Sequence, residues 1–318
     1  MKATRISRFN AFLMLVLILF WGSSFVVVKT LLNEGLTPIA IATFRFLLAG
    51  ILFTATLLLR KVRKKDSTLL IHKRDIPTVM VLALTGVTLF FTAQYIGISM
   101  AGASIAAILV CLISPILITT LSVKLLKERL AKAQMLGVAI AAIGTFAVIA
   151  GGTLSIQHGE SFFLGSLILL STPFLWATYT LAGKRTTQTY DAFLVVAYVN
   201  IIGGLFLVPF SFAEGSLQTV QAISLNGWLS ILFLSTTCSL LGYYIWFRVL
   251  DITNASATSS FLFAEPLVTV AFATTFAGET INPYIIAGGF LIFTGVYLVT
   301  TKRADLSPRQ KTPEAYVD

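Results

Sequence analysis

The chain has 318 residues, of which 57% are hydrophobic and 11% are charged, and its formal net charge is +10. An ordinary soluble domain carries about 25% charged residues, so the composition excludes that class. The mean hydropathy of +0.90 indicates a chain that lies largely within lipid.

Ten apolar segments follow one another along the chain. A membrane-spanning helix needs about 20 mostly apolar residues. The first segment follows a basic N-terminus, but it is too long for a signal peptide and lacks a clear cleavage site, so we expect it to remain as a span. The sequence predicts an all-α integral membrane protein with ten transmembrane helices, at residues 10–32, 38–59, 76–97, 103–123, 133–151, 162–183, 192–212, 225–247, 256–278 and 281–300.

The basic residues are concentrated in every second loop. If the N-terminus is cytoplasmic, all but two of the 23 lysines and arginines fall on the cytoplasmic side, as the positive-inside rule describes. The exceptions are Lys29 and Arg45. The positive charge therefore predicts a multi-pass protein of the plasma or inner membrane with both termini cytoplasmic. No stretch combines basic residues with stacking aromatic residues as a nucleic-acid site would.

The two halves of the chain resemble each other. Trp21 and Lys29 are separated by the same interval as Trp176 and Lys184. Four further pairs share one offset: Pro115 and Pro266, Glu128 and Glu279, Gly137 and Gly288, Gly144 and Gly295. This order indicates a tandem duplication, with units at 1–151 and 152–303 and a disordered cytoplasmic tail at 304–318. Because each unit holds an odd number of spans, the second unit is predicted to be inverted relative to the first.

Several local patterns support a family resemblance. They are Trp21-Gly22-Ser23-Ser24-Phe25, Arg45-Phe46, Ser114-Pro115 followed by Glu128, and Glu265-Pro266 followed by Glu279. Over about residues 11–302 the sequence is similar to the EamA-domain branch of the drug/metabolite transporter superfamily. The resemblance implies a ten-span, two-repeat carrier, often an exporter of amino acids or other small metabolites. This chain departs from a symmetric pattern at Ser114, which stands where the second unit has Glu265.

Glu265 and Pro266 interrupt the ninth segment. A carboxylate within the membrane usually faces a polar cavity or a partner, and Pro266 deprives the Leu262 carbonyl of its helical donor. Glu265 is therefore a candidate for contacting a solute or exchanging a proton, since burial favours its neutral form. The alternative is that it accepts a bond from a hydroxyl or indole and only shapes the break. Its face of the helix is predicted to carry Thr258, Leu262, Thr269 and Phe272, and Pro115 and Pro266 are predicted hinges.

Arg45 lies about 10 Å into the second segment. It is a candidate for binding an anionic solute or pairing with Glu265. The alternative, slightly favoured by the sequence, is that it reaches to the membrane surface or binds carbonyls at a helix end. Lys29 is nearer the end of its segment, where reaching the surface is the favoured role.

Hydroxyl and aromatic residues recur at helical steps in four segments. We expect them to line a cavity for a small amphipathic solute, one with an amine or an aromatic ring. Alternatively, the hydroxyls bond their own helices and Trp21, Trp176 and Trp246 anchor the protein at the interface, as Trp228 is expected to do. The residues are Thr85, Thr88, Thr92, Tyr95 and Ser99; Ser235, Ser239, Tyr243 and Trp246; and Trp21, Ser24, Trp176 and Tyr179.

Signatures of enzymes are absent from the sequence. There is no phosphate-binding loop, and His72 and His158 fall in loops on opposite sides of the membrane. Cys111 and Cys238 lack the spacing of metal ligands and are predicted to be packing residues. We therefore predict no catalytic residues, no metal site and no cofactor.

The predicted function is a secondary active transporter that exports a small organic metabolite by alternating access. One chain surrounded by the lipid bilayer is sufficient for this, and protons are the candidate coupling ions. The alternative is a membrane-embedded enzyme, or a lipid-modifying or sensor protein, without transport. Either would need a catalytic set facing one side or an appended soluble domain.

Overall fold

The computed structural model describes residues 6–63, 70–101, 106, 108–128, 130–151, 160–216, 223–277 and 283–301. These residues are predominantly helical, and no strand occurs among them, so the all-α fold class is confirmed. Three of the predicted features, Glu279, His158 and the tail at 304–318, lie outside the described residues.

The helices are labelled α1 to α10 in chain order. In the described residues, seven of them (α1–α3 and α6–α9) are long and apolar enough to cross a membrane, and α4, α5 and α10 contain shorter apolar helices. The chain is thus a multi-pass membrane protein, and the number of crossings stays a prediction. The bounds are α1 Arg8–Asn33, α2 Pro38–Arg63, α3 Lys73–Ala101, α4 Ile108–Ile113 with Ser114–Leu125, α5 Lys132–Gly151, α6 Glu160–Thr186, α7 Ala192–Ala213, α8 Leu225–Ile252, α9 Ala255–Ser259 with Ser260–Ala264 and Glu265–Ala277, and α10 Pro283–Thr301.

Polar loop residues set the start of several helices. The first N–H groups of a helix have no partner within it, and a side-chain oxygen at the preceding position can accept from them. Ser7 accepts from the Asn10 N–H at 3.1 Å before α1, Asp191 accepts from two N–H groups of α7, and Ser224 accepts from Gly227 before α8. These caps hold the helix ends where the apolar segments meet the polar loops.

Helices α5 and α10 pack closely through glycines. Gly137 lies against the Gly295 carbonyl and Gly144 lies against the Gly288 carbonyl. A Cβ atom at Gly144 would stand only 2.6 Å from that carbonyl oxygen, so the close approach needs glycine. Because the paired residue numbers run in opposite directions, the two helices are antiparallel.

Helices α2 and α7 are also antiparallel. Gly204 lies against the backbone of Phe46 near one end of the contact, and the rings of Phe53 and Phe193 are 5.4 Å apart near the other. Helix α1 packs on α8 and α9, and in the same way α6 packs on α3 and α4. If each of the helices α1–α5 is matched with its equivalent among α6–α10, the contacts of α1 correspond to the contacts of α6.

Four helices depart from regular α-helical geometry. π-helical segments occupy Leu84–Thr88 in α3, Ile108–Ile113 in α4 and Leu234–Leu241 in α8, and a 3-10 segment occupies Ser260–Ala264 in α9. Such segments change the number of residues per turn and are frequent at functional sites. All four helices contribute side chains to the cavity described below.

The hydroxyl residues of α3, which were expected to line one cavity, do not share one environment. Thr88 is buried and donates to the Gly203 carbonyl, whereas Ser99 is exposed and donates to the Ile96 carbonyl of its own helix. Thr85 likewise donates to the carbonyl of Val81. The π-helical segment shifts the residues after Thr88 relative to those before Leu84, and Ser99 lies near the end of α3, where it is exposed.

Candidate substrate cavity

A cavity with about 470 Å³ of unfilled space lies between helices from both halves of the chain. This space includes the part of the cavity that is open to the surroundings. Side chains from α1, α2, α3, α4, α6, α8 and α9 line the cavity, and α5, α7 and α10 contribute none. Six of the predicted site residues are among them: Trp21, Ser24, Arg45, Trp176, Tyr243 and Glu265.

Arg45 is buried in the cavity wall. Its side chain is 2% exposed, so the interpretation that it reaches to the membrane surface is wrong. Its Nε donates to Ser239 Oγ and its Nη1 donates to the Tyr95 hydroxyl, both at 2.8 Å. The guanidinium carbon also lies 4.5 Å from the centre of the Phe91 ring, a distance at which the ring face stabilises a cation. These contacts replace water around the guanidinium and fix its position.

Arg45 has no carboxylate partner among the described residues. The ion pairs found there involve Arg60, Arg74 and Lys184, so the predicted pairing of Arg45 with Glu265 does not occur. The cavity therefore contains a cationic side chain whose charge is offset only by hydroxyl groups and aromatic faces.

Glu265 lies at the junction between the 3-10 and α-helical parts of α9. Its own N–H donates to the Leu262 carbonyl, the group that Pro266 cannot serve, so the break satisfies its own backbone. The side chain is 5% exposed and lines the cavity together with Leu262. The other residues predicted on that helix face, Thr258, Thr269 and Phe272, do not line the cavity. Thr269 instead donates to the carbonyls of Gly22 and Glu265.

The Glu265 carboxyl group receives one side-chain hydrogen bond from the described residues. The donor is the Cys111 thiol, with Sγ 3.4 Å from Oε2. The predicted alternative, a bond from a hydroxyl or an indole, is not observed, and a thiol is a weak donor. The local contacts therefore leave most of the hydrogen-bonding capacity of Glu265 available to the cavity.

Three tryptophans form a compact cluster beside the cavity. The ring centres of Trp21, Trp176 and Trp246 are 5.4 to 5.6 Å apart, and all three side chains are buried. The interpretation of these residues as interface anchors is therefore wrong, because their rings pack against one another inside the helix bundle. Trp228 is 39% exposed, in agreement with its expected position at an interface.

The polar atoms of this cluster are only partly satisfied. Trp21 Nε1 donates to the Cys238 carbonyl in the π-helical part of α8 at 3.0 Å. In contrast, Trp176 Nε1, Trp246 Nε1 and the Tyr179 hydroxyl have no partner within the described part of the chain. Of these three side chains, Trp176 lines the cavity, so its N–H is a donor placed at the cavity wall.

The remaining predicted residues lie behind the wall. Tyr95 and Ser239 hold Arg45, while Tyr179 and Trp246 pack beneath Trp176 and Tyr243. Thr92 is half-buried and does not line the cavity. Pro115 and Pro266 each follow the first residue of the regular part of their helices, after the π-helical and 3-10 segments, and their role as hinges remains a prediction.

Sequence reasoning missed several residues of the wall. Cys111 was assigned to packing, yet it stands four residues before Pro115, as Leu262 stands four before Pro266, and both line the cavity. The repeat relationship was thus the signal that points to Cys111. Gln94 was overlooked beside Tyr95, although an amide within an apolar segment is itself a signal. The others are apolar and carry no distinguishing mark: Phe25, Phe90, Phe91 and Val110.

Titratable side chains do not cluster as metal ligands would. Within the described ranges, no group of three His, Cys, Asp or Glu side chains lies close enough together to hold a metal ion. The cavity contains instead one acid, one guanidinium and a set of aromatic faces.

Comparison with known proteins identifies the family. The model of the EamA-like transporter family matches residues 8–150 and matches again at residues 163–301. The chain belongs to the EamA-like transporter family. The two matched ranges correspond to the two halves inferred from the repeated residues.

Similar proteins that are named as transporters or as an efflux pump occur in archaea and bacteria. An uncharacterized transporter of Archaeoglobus fulgidus is 29% identical, over 92% of this chain and 97% of that protein. YvbV of Bacillus subtilis, also an uncharacterized transporter, is 28% identical over 92% of each chain. A Salmonella typhimurium protein named "Probable amino-acid metabolite efflux pump" is 27% identical, over 92% of this chain and 95% of that protein. These names support a general transporter role.

A solved crystal structure shares the fold of this EamA-like transporter. It aligns with a TM-score of 0.75 over 92% of this chain and 96% of that chain, at 16% sequence identity. At this level of identity the similarity concerns the fold alone.

Proposed function

We propose that the chain is a secondary active transporter that exports a small amphipathic metabolite, an amino acid or a related solute, by alternating access. The observation that carries this proposal is the cavity in which Arg45 and Glu265 are both buried without forming an ion pair with each other. Ionisable groups within a membrane protein commonly mark solute or ion pathways.

The two charged groups and the aromatic wall fit a zwitterionic solute. A carboxylate of the solute would accept from the Arg45 guanidinium, whose planar arrangement of donors suits carboxylates. An ammonium group would donate to Glu265, and the apolar part would lie against Trp21 and Trp176, whose faces also attract cations. The name of the Salmonella relative supports both the solute class and the outward direction.

The proposed architecture is ten spans in two inverted repeats, comprising residues 1–151 and 152–303. Its support is the antiparallel packing of α5 with α10 and of α2 with α7, because each pair consists of equivalent helices from the two halves. Inverted repeats with interrupted helices that meet near the midplane are a recurring design of secondary transporters, in which one repeat rocks against the other.

Loop contacts support the proposed assignment of the loops to two opposite faces. Ser224 donates to Glu34 at 3.0 Å, which joins two loops that the basic-residue pattern places outside. Arg60 pairs with Asp191 at 3.4 Å, which joins two helix ends placed in the cytoplasm. Contacts of this kind join only regions assigned to one membrane face.

Reporter fusions test this orientation. We expect a reporter fused after Thr187 to be cytoplasmic and one fused after Gly215 to be outside, because α7 lies between them. Two reporters are fused at each position, one active only outside the cell and the other active only inside. Their activities show on which side of the membrane each position lies. Placement of both positions on the same side would exclude the proposed topology.

Transport in proteoliposomes tests the function. We expect the purified protein to move at least one amino acid more rapidly than its neutral amide, and more rapidly with a pH gradient than without. The measurement is the initial rate of uptake or release of labelled solutes, with protein-free liposomes as the control. If correctly folded protein moves none of these solutes, the proposal is wrong. Chemical modification of lipid or solute in the same vesicles would favour the enzyme alternative.

A further inference from the structure

A buried ion pair lies at the end of α6, away from the cavity. Lys184 Nζ is 3.1 Å from Glu128 Oε1, and the two side chains are 4% and 7% exposed. The other two ion pairs in the described residues have partners that are between 31% and 81% exposed. Because the removal of two charges from water is costly, a buried pair persists only where further hydrogen bonds complete it.

Glu128 supplies those hydrogen bonds by capping the start of α9. Its Oε1 accepts from the Ala255 N–H at 2.6 Å, and its Oε2 accepts from the N–H and the hydroxyl of Ser256 at 3.3 and 3.1 Å. A carboxylate at this position also interacts favourably with the positive end of the helix dipole. The cap matters because α9 is the helix that carries Glu265.

Two basic side chains at the end of α6 donate hydrogen bonds to backbone carbonyls of neighbouring segments. Lys184 donates to the Thr253 carbonyl between α8 and α9, and the Arg185 guanidinium donates to the Leu125 carbonyl at the end of α4. The cluster therefore joins the ends of α4, α6 and α8 to the start of α9. We call the contacts of Glu128 with Lys184, Ala255 and Ser256 the latch.

A layer of large side chains separates the latch from the cavity. Tyr179, Trp246 and Phe247 are fully buried, and the rings of Tyr179 and Phe247 are 5.0 Å apart. Phe247 also packs against Gly183, next to Lys184. A chain of contacts thus runs from the cavity residues Trp176 and Tyr243 through Tyr179 and Phe247 to Gly183 beside the latch. The proposed topology places the latch in the cytoplasm.

We propose that the latch is a gate lock, which holds the cavity closed on this face and must break before the cavity opens there. This inference rests on the proposed carrier function. Breaking it frees the start of α9, and the 3-10 segment Ser260–Ala264 lies between that start and Glu265, where the helix is least regular. Opening at the latch would therefore displace the N-terminal part of α9 relative to Glu265.

Lys29 provides a matched control for Lys184. It stands at the same interval after Trp21 as Lys184 does after Trp176. Lys29 is exposed and forms no ion pair within the described residues. Its substitution removes the equivalent charge without touching the latch.

Accessibility of Cys111 from each membrane face tests the gate lock. Cys111 lines the cavity, so a membrane-impermeant thiol reagent reaches it only through an open mouth. The full-length chain carrying Cys238→Ala is labelled in vesicles of both orientations. We expect Lys184→Met and Glu128→Gln to raise the labelling rate from the latch face about tenfold, because the partner left behind destabilises the closed form. Lys29→Met is expected to leave that rate unchanged.

Unchanged labelling in folded Lys184→Met and Glu128→Gln would overturn the inference, as would an equal rise in Lys29→Met. Folding is checked by the elution profile and the melting temperature. If these two variants do not fold, Glu128→Asp retains the charge but shortens its reach. It should give a smaller rise from the latch face, and an unchanged rate would again contradict the lock.

The labelling assay needs no solute, so the two proposals fail separately. If the latch variants are labelled faster from the latch face but the protein transports no solute, the proposed carrier function is wrong and the closing role of the latch stands. If the protein transports normally and the latch variants do not change the labelling rate, the proposed gate lock is wrong and the carrier function stands.

Discussion

Replacement of Glu265 by glutamine is expected to reduce the transport rate by about tenfold to a hundredfold. Hydrogen bonds to charged groups contribute about 1.5–3 kcal/mol, and about 1.4 kcal/mol corresponds to a factor of ten. The remaining transport should lose its dependence on a pH gradient, because a glutamine side chain has no carboxyl group that can bind and release a proton. Initial rates in proteoliposomes, with and without the gradient, measure both effects.

The matched control for this variant is Glu34→Gln. Glu34 is exposed and accepts from Ser224 in a loop contact, so its neutralisation should change neither the rate nor the gradient dependence. Both variants should elute and melt like the wild type, since the only described side-chain donor to Glu265 is the weak Cys111 thiol. Normal, gradient-sensitive transport by Glu265→Gln would show that this acid has no coupling role.

Replacement of Arg45 by glutamine is expected to weaken the binding of solutes that carry a carboxylate by about tenfold to a hundredfold, through loss of a charge-assisted bond. The amides of the same solutes should be much less affected. Arg45→Lys should restore only part of the affinity. It keeps the charge but lacks the planar group that contacts Tyr95, Ser239 and the Phe91 ring together. The measurement is KM for each acid and its amide.

Arg248→Gln is the matched control for Arg45. Arg248 is exposed, and it donates to Tyr244 on its own helix at 3.1 Å. Its loss should change KM for neither the acid nor the amide. If Arg45→Gln and Arg45→Lys lose folded protein equally, or weaken acid and amide binding to the same extent, Arg45 has a structural role only.

The sequence predicted the helices well because lipid imposes a simple rule on them. Each span must be long, apolar and internally hydrogen-bonded, so composition alone locates it. Pro266 and Glu265 were likewise readable, because proline and an acid are both costly within an apolar helix. The structure adds that the Glu265 N–H replaces the donor that Pro266 lacks.

The cavity wall was less predictable, because side-chain direction depends on features that composition does not reveal. Gln94 lines the cavity, whereas Thr92 does not, and no pattern of polar residues in the sequence of α3 distinguishes the two. For Arg45 the sequence slightly favoured a role at the membrane surface or at a helix end, since an arginine within lipid normally reaches water. It stays inside because Tyr95, Ser239 and Phe91 come from other helices, and no local pattern could bring these partners together.

Several helix contacts recur in both halves, but the charges in the cavity do not. Arg45 comes from the first half and Glu265 from the second, and the position equivalent to Glu265 is held by the neutral, buried Ser114. Under the proposed function, the two halves can exchange conformations during a transport cycle. The positive charge nevertheless stays in the first half and the negative charge in the second. A zwitterion would consequently keep one head-to-tail polarity within the protein, whichever mouth was open.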